Sequence, residues 1–189
     1  MPMIREMIVT TQGLDGTPHI APLGLTLDGE EWIAAPFKPS RTLDNLRAHP
    51  FFTASITDDV RVYAGCLTGR KDWPTVPTVK IAGSYLACAI AHQELEIVRV
   101  SEDEQRPRFH GRIVHSANHA VVPGFNRAQN AVIELAILTS RLHMLATEKV
   151  ISEIAYLQIA ISKTAGPREE EAWGWLMERV EDFYRNQNG

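Results

Sequence analysis

Hydrophobic positions along this chain follow two periods. Up to about residue 120 they recur at every second position in short runs; from Asn126 they recur at every third or fourth. Period two marks strands with one buried face, and the longer period marks amphipathic helices. Met7-Ile8-Val9-Thr10-Thr11 is a β-branched run ending at Gly13-Leu14-Asp15-Gly16, whose Asp-Gly pair favours a hairpin. The return strand is expected over 19–27, and Asp28-Gly29 turns it into a third strand over 31–35, giving a meander. A short helix follows over 41–48, because Leu43 and Leu46 share a face and Pro50 blocks continuation. Phe52, Ala54 and Ile56 alternate along the next strand, 51–57.

Residues 58–67 fit helix and strand equally. The stretch 69–78 contains Trp73, Pro74 and Pro77 and reads as a loop, long enough for a functional or interface role. Strands over 91–100 and 109–115 flank the acidic turn 101–105 and Pro107, which predicts a second hairpin. Three helical faces come next: Ala128, Ala131, Val132, Leu135, Leu138 and Leu142; then Val150, Ile151, Ile154, Leu157 and Ile161; then Trp173, Leu176, Met177, Val180 and Tyr184. Gly166-Pro167 separates the last two, with Glu169, Glu170 and Glu171 favouring the positive end of the third helix. The expected architecture is α+β: a barrel-like part over 1–122 and a helical extension of about three helices over 123–189, packed on it as a single structural unit.

Composition adds bounds. With 189 residues, 44% hydrophobic and 22% charged, the chain can bury a sizeable core without staples. A net charge of −4 argues against a general nucleic-acid binder. Cys66 and Cys88 lie outside any C-x-x-C spacing, so no disulfide framework is implied. The N-terminal run Met1-Pro2-Met3-Ile4-Arg5-Glu6 carries a charged pair where a signal peptide is apolar, and no apolar run approaches a membrane span. A soluble, cytoplasmic protein without membrane partners is expected.

The chemistry concentrates at residues 36–45. A helix N-terminus offers unpaired N–H groups and a positive dipole end. Here Ser40 and Thr42 add hydroxyls, Arg41 a guanidinium fork, Asn45 an amide and Lys38 a further cation. The set suits a phosphate monoester; it also suits a plain helix capped by Ser40 with a solvated Arg41. His115 and His119 have the i, i+4 spacing of a zinc pair on a helix, but they fall at the end of a strand with no acidic third ligand nearby in sequence, so no metal site is assigned. Walker, G-x-G-x-x-G and G-x-S-x-G motifs are absent from the sequence.

The run Gly16-x-Pro18-His19-x-Ala21-Pro22-x-Gly24, with Asp28-Gly29, Ser40-Arg41-Thr42-x-x-Asn45-Leu46 and Pro50, resembles the FMN-binding split β-barrel superfamily. In its pyridoxamine-phosphate-oxidase branch a Ser-Arg-Lys triplet opens the helix after the third strand and grips the flavin phosphate. Thr42 replaces that lysine, leaving the cationic share to Arg41 and Lys38. Ala21 stands near the position of the branch's second-strand arginine, and both departures weigh against pyridoxal chemistry.

A resemblance over almost the full chain is to the family named domain of unknown function 447. It is carried by Ile8-Val9-Thr10-Thr11, Pro18-His19-x-Ala21-Pro22, Pro36-Phe37-x-x-Ser40-Arg41-Thr42, Thr57-Asp58-Asp59, Phe125-Asn126-Arg127-Ala128, Glu134-x-Ala136-Ile137-Leu138, Arg141-Leu142-His143 and Lys163-Thr164-x-Gly166-Pro167-Arg168-Glu169. That family occurs in methanogenic archaea and in bacteria with tetrahydromethanopterin-linked one-carbon metabolism. The resemblance implies a homodimeric split barrel of the flavin-reductase type, with FMN near the subunit interface and a small-molecule substrate or electron donor.

By that resemblance Ser40, Arg41, Thr42 and Asn45 hold the phosphate. His19, Ile20, Ala21 and Pro22 meet the ring edge, Pro36 and Phe37 line the ring or ribityl chain, and Lys163 and Thr164 reach the cofactor. The bland counterparts stay open: a strand histidine, barrel core, and a helix C-cap at Lys163–Gly166. The implied function is an FMN-dependent oxidoreductase, with a non-catalytic flavin module or carrier as the alternative. A third reading keeps the barrel and exchanges FMN for a deazaflavin or pyridoxal phosphate. No residue declares itself a catalytic acid or base.

Overall fold

Strands β1 (Ile4–Gln12), β2 (Pro18–Asp28) and β3 (Glu31–Ala34) form the expected meander, and α1 (Arg41–Ala48) follows where Leu43 and Leu46 demanded a helix. The chain continues through β4 (Phe51–Ile56), α2 (Arg61–Leu67), β5 (Thr75–Pro77), β6 (Ser84–Leu86), β7 (Ala91–Ser101) and β8 (Arg108–Asn118). It ends with α3 (Arg127–Ser140), a 3-10 turn over Leu142–Met144, α4 (Thr147–Thr164) and α5 (Pro167–Gln187). This computed structural model describes residues 3–187, so Met1 and Pro2 of the N-terminal stretch lie outside the described residues. Among those described, no helix is long and apolar enough to cross a membrane.

Six strands close an antiparallel barrel in the order β1-β2-β3-β8-β7-β4. With the C-terminal helices this is the expected split-barrel class with a helical extension. Met7, Val9, Leu25, Phe52, Ala54, Leu95 and Phe109 fill the interior, joined by Leu43 and Leu46 of α1. Gly111 belongs there for steric reasons: a Cβ would stand 2.9 Å from the Phe52 ring and 3.1 Å from Leu95.

Alternation sends the residues between these to the outer face. There the register aligns Thr10 with Thr53 and Thr53 with Glu94, and likewise Ser55 with His92. All five are buried, so this face has a cover. The cover is the excursion between β4 and β7. Thr53 Oγ1 donates to Ser84 O at 2.9 Å, Leu86 N donates to Ser55 Oγ at 3.4 Å, and the N–H groups of residues 79–81 converge on the Glu94 carboxylate.

Two expectations are corrected here. The loop predicted over 69–78 contains β5, which pairs with β6; three residues ending at Pro77 make a strand too short to show period two. Residues 58–67, which fit helix and strand equally in sequence, contain α2, and the segment 58–72, grouped in the sequence with the barrel, clusters with the helices. The compact units are residues up to Thr57 with Trp73–Val122, and Asp58–Asp72 with the chain from Pro123 onward. The reason is apolar. Val60 and Ala64 are buried with Ala128, Val132, Leu135, Val150, Trp173, Leu176 and Val180 in the core of the helical unit. Within it, Arg61 Nε and Nη2 donate to the two oxygens of buried Asp59 at 2.8 and 2.7 Å, and Nη1 reaches Glu171 at 3.1 Å. Burial pushes the Asp59 carboxyl up, but the Arg61 hydrogen bonds and charge outweigh it and leave it below the ordinary value.

Candidate functional site

Helix α1 begins at an extended Ser40 whose Oγ accepts from Leu43 N at 3.2 Å, while Asp44 N donates to Ser40 O at 3.1 Å. That leaves the first N–H groups, at Arg41 and Thr42, without an intrahelical acceptor. Arg41 is exposed, with Nη2 donating to Thr17 Oγ1 at 3.1 Å. Thr17 in turn donates through its hydroxyl and its N–H to Asp15 Oδ1, at 2.6 and 3.0 Å. These Thr17 bonds, aided weakly by Arg41, hold the Asp15 carboxyl below its ordinary value. Buried Asn45 donates through Nδ2 to Thr11 Oγ1 at 2.9 Å, and His49 Nε2 lies 3.3 Å from Gly13 O. The helix is thereby tied to the tip of the β1–β2 hairpin, and its positive end is presented with an exposed guanidinium beside it.

The same hairpin forms one wall of a cleft of about 200 Å³. Thr10, Thr11, Gln12, Gly16 and Pro18 line it from the hairpin, Phe51, Phe52 and Thr53 from β4, and Thr75, Pro77, Ile81, Gly83 and Ser84 from the cover. None of these side chains is ionisable. Thr10 is 3% exposed and its hydroxyl has no partner, which is costly for a buried donor and marks a place where a ligand atom improves the balance.

Models of two parts of one family match in tandem. The model described as protein of unknown function (DUF447), N-terminal domain, matches residues 5–120, and that described as protein of unknown function (DUF447) matches 126–178. The chain belongs to the DUF447 family. Among solved structures, an FMN-bound family member from Methanosarcina mazei superposes with a TM-score of 0.80 at 22% identity, over 95% of this chain and 96% of that one. An FMN-binding protein from Thermus thermophilus matches with a TM-score of 0.53 at 18% identity, over 62% of this chain and 71% of that one. A Streptomyces globisporus NADH:FAD oxidoreductase gives 0.52 at 17%, over 62% and 78%. The two partial matches share the fold over less of the chain than the family member does. No curated protein matches the sequence.

Against this DUF447 frame the residues singled out from sequence separate into groups. Ser40, Arg41, Thr42 and Asn45 are brought together at one helix end. His19, Ile20, Ala21 and Pro22 lie on β2 opposite Thr11, Thr10, Val9 and Ile8; Ile20 is buried, the others are half-buried, and none lines the cleft. Pro36 is buried, whereas Phe37 is exposed beneath the Arg106 guanidinium, 4.3 Å from its ring centroid. Arg106 also donates to Ala35 O from Nε and Nη2, at 2.9 and 2.8 Å. Lys38 Nζ donates to Asp103 O at 2.6 Å.

Lys163 and Thr164 belong to the helical unit. Lys163 is exposed, while Thr164 Oγ1 accepts from Ala128 N at 3.1 Å and donates to Ala160 O at 2.8 Å. Asn126 Nδ2 donates to Thr164 O at 3.0 Å, completing a splice between α3 and α4. The residues that sequence reasoning passed over are Thr10, Thr11, Thr17 and Thr53. The only signal for Thr10 and Thr53 was threonine at strand positions that alternate with core residues, and Thr17, in the turn before β2, had none.

Proposed function

We propose that this chain is an FMN-binding flavoprotein acting as an oxidoreductase, working as a cytoplasmic homodimer with the flavin near the subunit interface. One observation carries the reading. An anion-ready helix end and a neutral polar cleft with an orphaned buried hydroxyl are joined through a single hairpin, by Asn45–Thr11 and Arg41–Thr17. The donor set fits the group: backbone N–H groups, Arg41 and Ser40 for a phosphate monoester, then Thr10, Thr11, Gln12 and Thr53 for a polar chain and ring edge. The FMN-bound Methanosarcina mazei family member, similar over nearly the whole chain, supports the choice of flavin.

Bound there, FMN supplies hydride or electron transfer at its ring. The chain's part is to hold and orient. Arg41 exchanges Thr17 for phosphate oxygens, the α1 N–H groups add charge-independent donors, and the uncharged lining provides no acid or base. Reduction of a pterin or another one-carbon intermediate is the finer assignment, and it is carried by the family resemblance.

Purification and titration test the reading. A yellow protein with bound FMN that is bleached by NAD(P)H is the expected result. A yellow protein inert to reductants, NAD(P)H included, replaces the enzyme with a flavin-carrying module, which the neutral lining also suits. A colourless protein that ignores added FMN overturns both.

A further inference from the structure

On the covered outer face, three histidines and a glutamate meet. Glu94 is fully buried, and its carboxylate is oriented by three backbone donors: Val79 N to Oε1 at 2.8 Å, and Lys80 N and Ile81 N to Oε2 at 2.7 and 3.1 Å. His92, 2% exposed, places Nε2 3.4 Å from Glu94 Oε1 and Nδ1 2.8 Å from His119 Nε2. Tyr85 stacks on the His92 ring, with centroids 3.7 Å apart and planes 4° apart, which fixes the plane of the imidazole. His115 comes from the facing strand β8, where the register sets it opposite Glu94. One ligand atom each from His92, Glu94 and His115 lies within 4.8 Å of the other two.

We propose that His92, Glu94 and His115 bind a divalent transition-metal ion of the zinc class, with His119 supporting His92 from behind. Two imidazoles and a carboxylate are the donor set that suits such an ion, and three protein ligands leave a fourth position for water. The distances agree. Metal bonds of about 2.1 Å in a tetrahedron put neighbouring ligand atoms about 3.4 Å apart, which is the His92–Glu94 separation and is long for a hydrogen bond. The His115 ring makes no hydrogen bond among the described residues, so it has none to give up in moving the remaining distance toward the other two ligand atoms.

His119 supplies the outer partner that a metal-bound imidazole commonly has. Without metal, the chain of donors runs His119 Nε2–H to His92 Nδ1 and His92 Nε2–H to Glu94. With metal on His92 Nε2, the direction reverses: His92 Nδ1–H donates to His119 Nε2, and His119 carries its proton on Nδ1. Two ring protons are present before and after, so neither imidazole has to become charged.

The sequence reading discounted His115 and His119 as a zinc pair for want of an acidic third ligand. The barrel register supplies Glu94 and His92 from β7, and it is His115 that joins them. Because Glu94 also anchors residues 79–81, the ion fastens the cover whose Ile81, Gly83 and Ser84 wall the cleft.

The test is a cobalt(II) titration of the full chain after treatment with chelator, followed by displacement with zinc(II). One cobalt per chain is expected, with the visible d–d absorption of a tetrahedral site at wavelengths beyond the flavin band. Ring-nitrogen NMR with zinc should show His92 changing from the Nε2–H to the Nδ1–H tautomer. His115→Ala leaves the Glu94 anchor and the His92–His119 contact in place, so it should fold like the wild type and lose cobalt affinity by about a hundredfold or more. His119→Phe should lose about ten- to a hundredfold. Absence of d–d absorption in the wild type, or cobalt affinity unchanged by His115→Ala, overturns the proposal and leaves a Glu94–His92–His119 hydrogen-bond relay. Neither result bears on whether FMN binds at α1.

Discussion

In the helical unit the buried side chains are almost all apolar, from Ala131 and Leu135 to Leu176 and Val180, and the few buried polar residues are hydrogen-bonded within the unit: Asp59 to Arg61, Thr139 to Leu135 O, Glu169 to Gln129 and Gly166 N; the half-buried Tyr184 alone leaves a buried hydroxyl without a partner among the described residues. The barrel unit instead buries Thr10, Thr11, Thr42, Asn45, Thr53, Ser55, His92, Glu94 and His110. A barrel strand has two faces, and only one can point at the interior. When an excursion covers part of the other face, polar residues chosen for solvent contact become buried and must find partners. Thr53, Ser55 and Glu94 find theirs in the cover. Thr10 does not, and the cleft is there. Chemistry therefore gathers where the barrel is covered, while the helices are held mainly by packing.

The comparison can be broken most forcefully in the helices. Leu176→Ala removes a fully buried side chain and should cost about 2–5 kcal/mol of stability, read by denaturant titration; a loss below 1 kcal/mol would contradict packing as the main force there. Arg61→Ala removes both side-chain donors from the buried Asp59 carboxylate and should cost about 3 kcal/mol, again by denaturant, with much of the loss recovered in the double variant Arg61→Ala, Asp59→Asn.

Acid separates the units less sharply, because each contains a carboxyl held below its ordinary value. At Glu94 burial acts upward, but the backbone donors from 79–81 and His92 prevail, and at Asp59 the Arg61 pair does the same. Their ordinary values are 4.5 and 3.8. The unfolded chain binds more protons in this range, so stability is complete above those values and falls as pH drops below 4.5 and then 3.8 toward the folded ones. Glu94→Gln should flatten the upper part of that acid limb in a pH series of melting curves.

At the barrel the effects should appear in binding instead of stability. Arg41→Ala should weaken FMN affinity by about 1.5–3 kcal/mol, the range for a charge-assisted hydrogen bond, with a melting temperature close to wild type. Unchanged affinity in a flavin titration removes Arg41 from the site. The smallest expected effect is the most discriminating. Thr10→Val removes an orphaned hydroxyl and should leave the flavin-free protein as stable or up to about 1 kcal/mol more stable, while FMN binds about 0.5–1.5 kcal/mol more weakly. A destabilised flavin-free protein would show that the hydroxyl already has a partner.

Helix α1 was legible because its signals are local: Ser40 before it, Leu43 and Leu46 on one face, Pro50 after it. The barrel strands were legible from alternation, and the family resemblance placed them in a split barrel. The Asn45–Thr11 bond spans 34 residues and had no local signature. Residues 58–67 were undecidable because Val60 and Ala64 become helical by packing on α3 and α5, contacts that lie far along the chain. Short β5, bounded by prolines, looked like the loop it nearly is.

By itself, then, the chain's pattern determined the two periods, the meander, the capped helix and the Ser40–Arg41–Thr42 end that can receive an anion. Those follow from sterics, capping and amphipathic spacing within a few residues. Only the tertiary structure decided that segment 58–72 joins the helices, that the hairpin threonines wall a cleft, and that ligand atoms of Glu94, His92 and His115 come within 4.8 Å of one another. Strand register and barrel closure set those neighbours, and both are properties of pairings between distant strands that no single stretch of sequence contains.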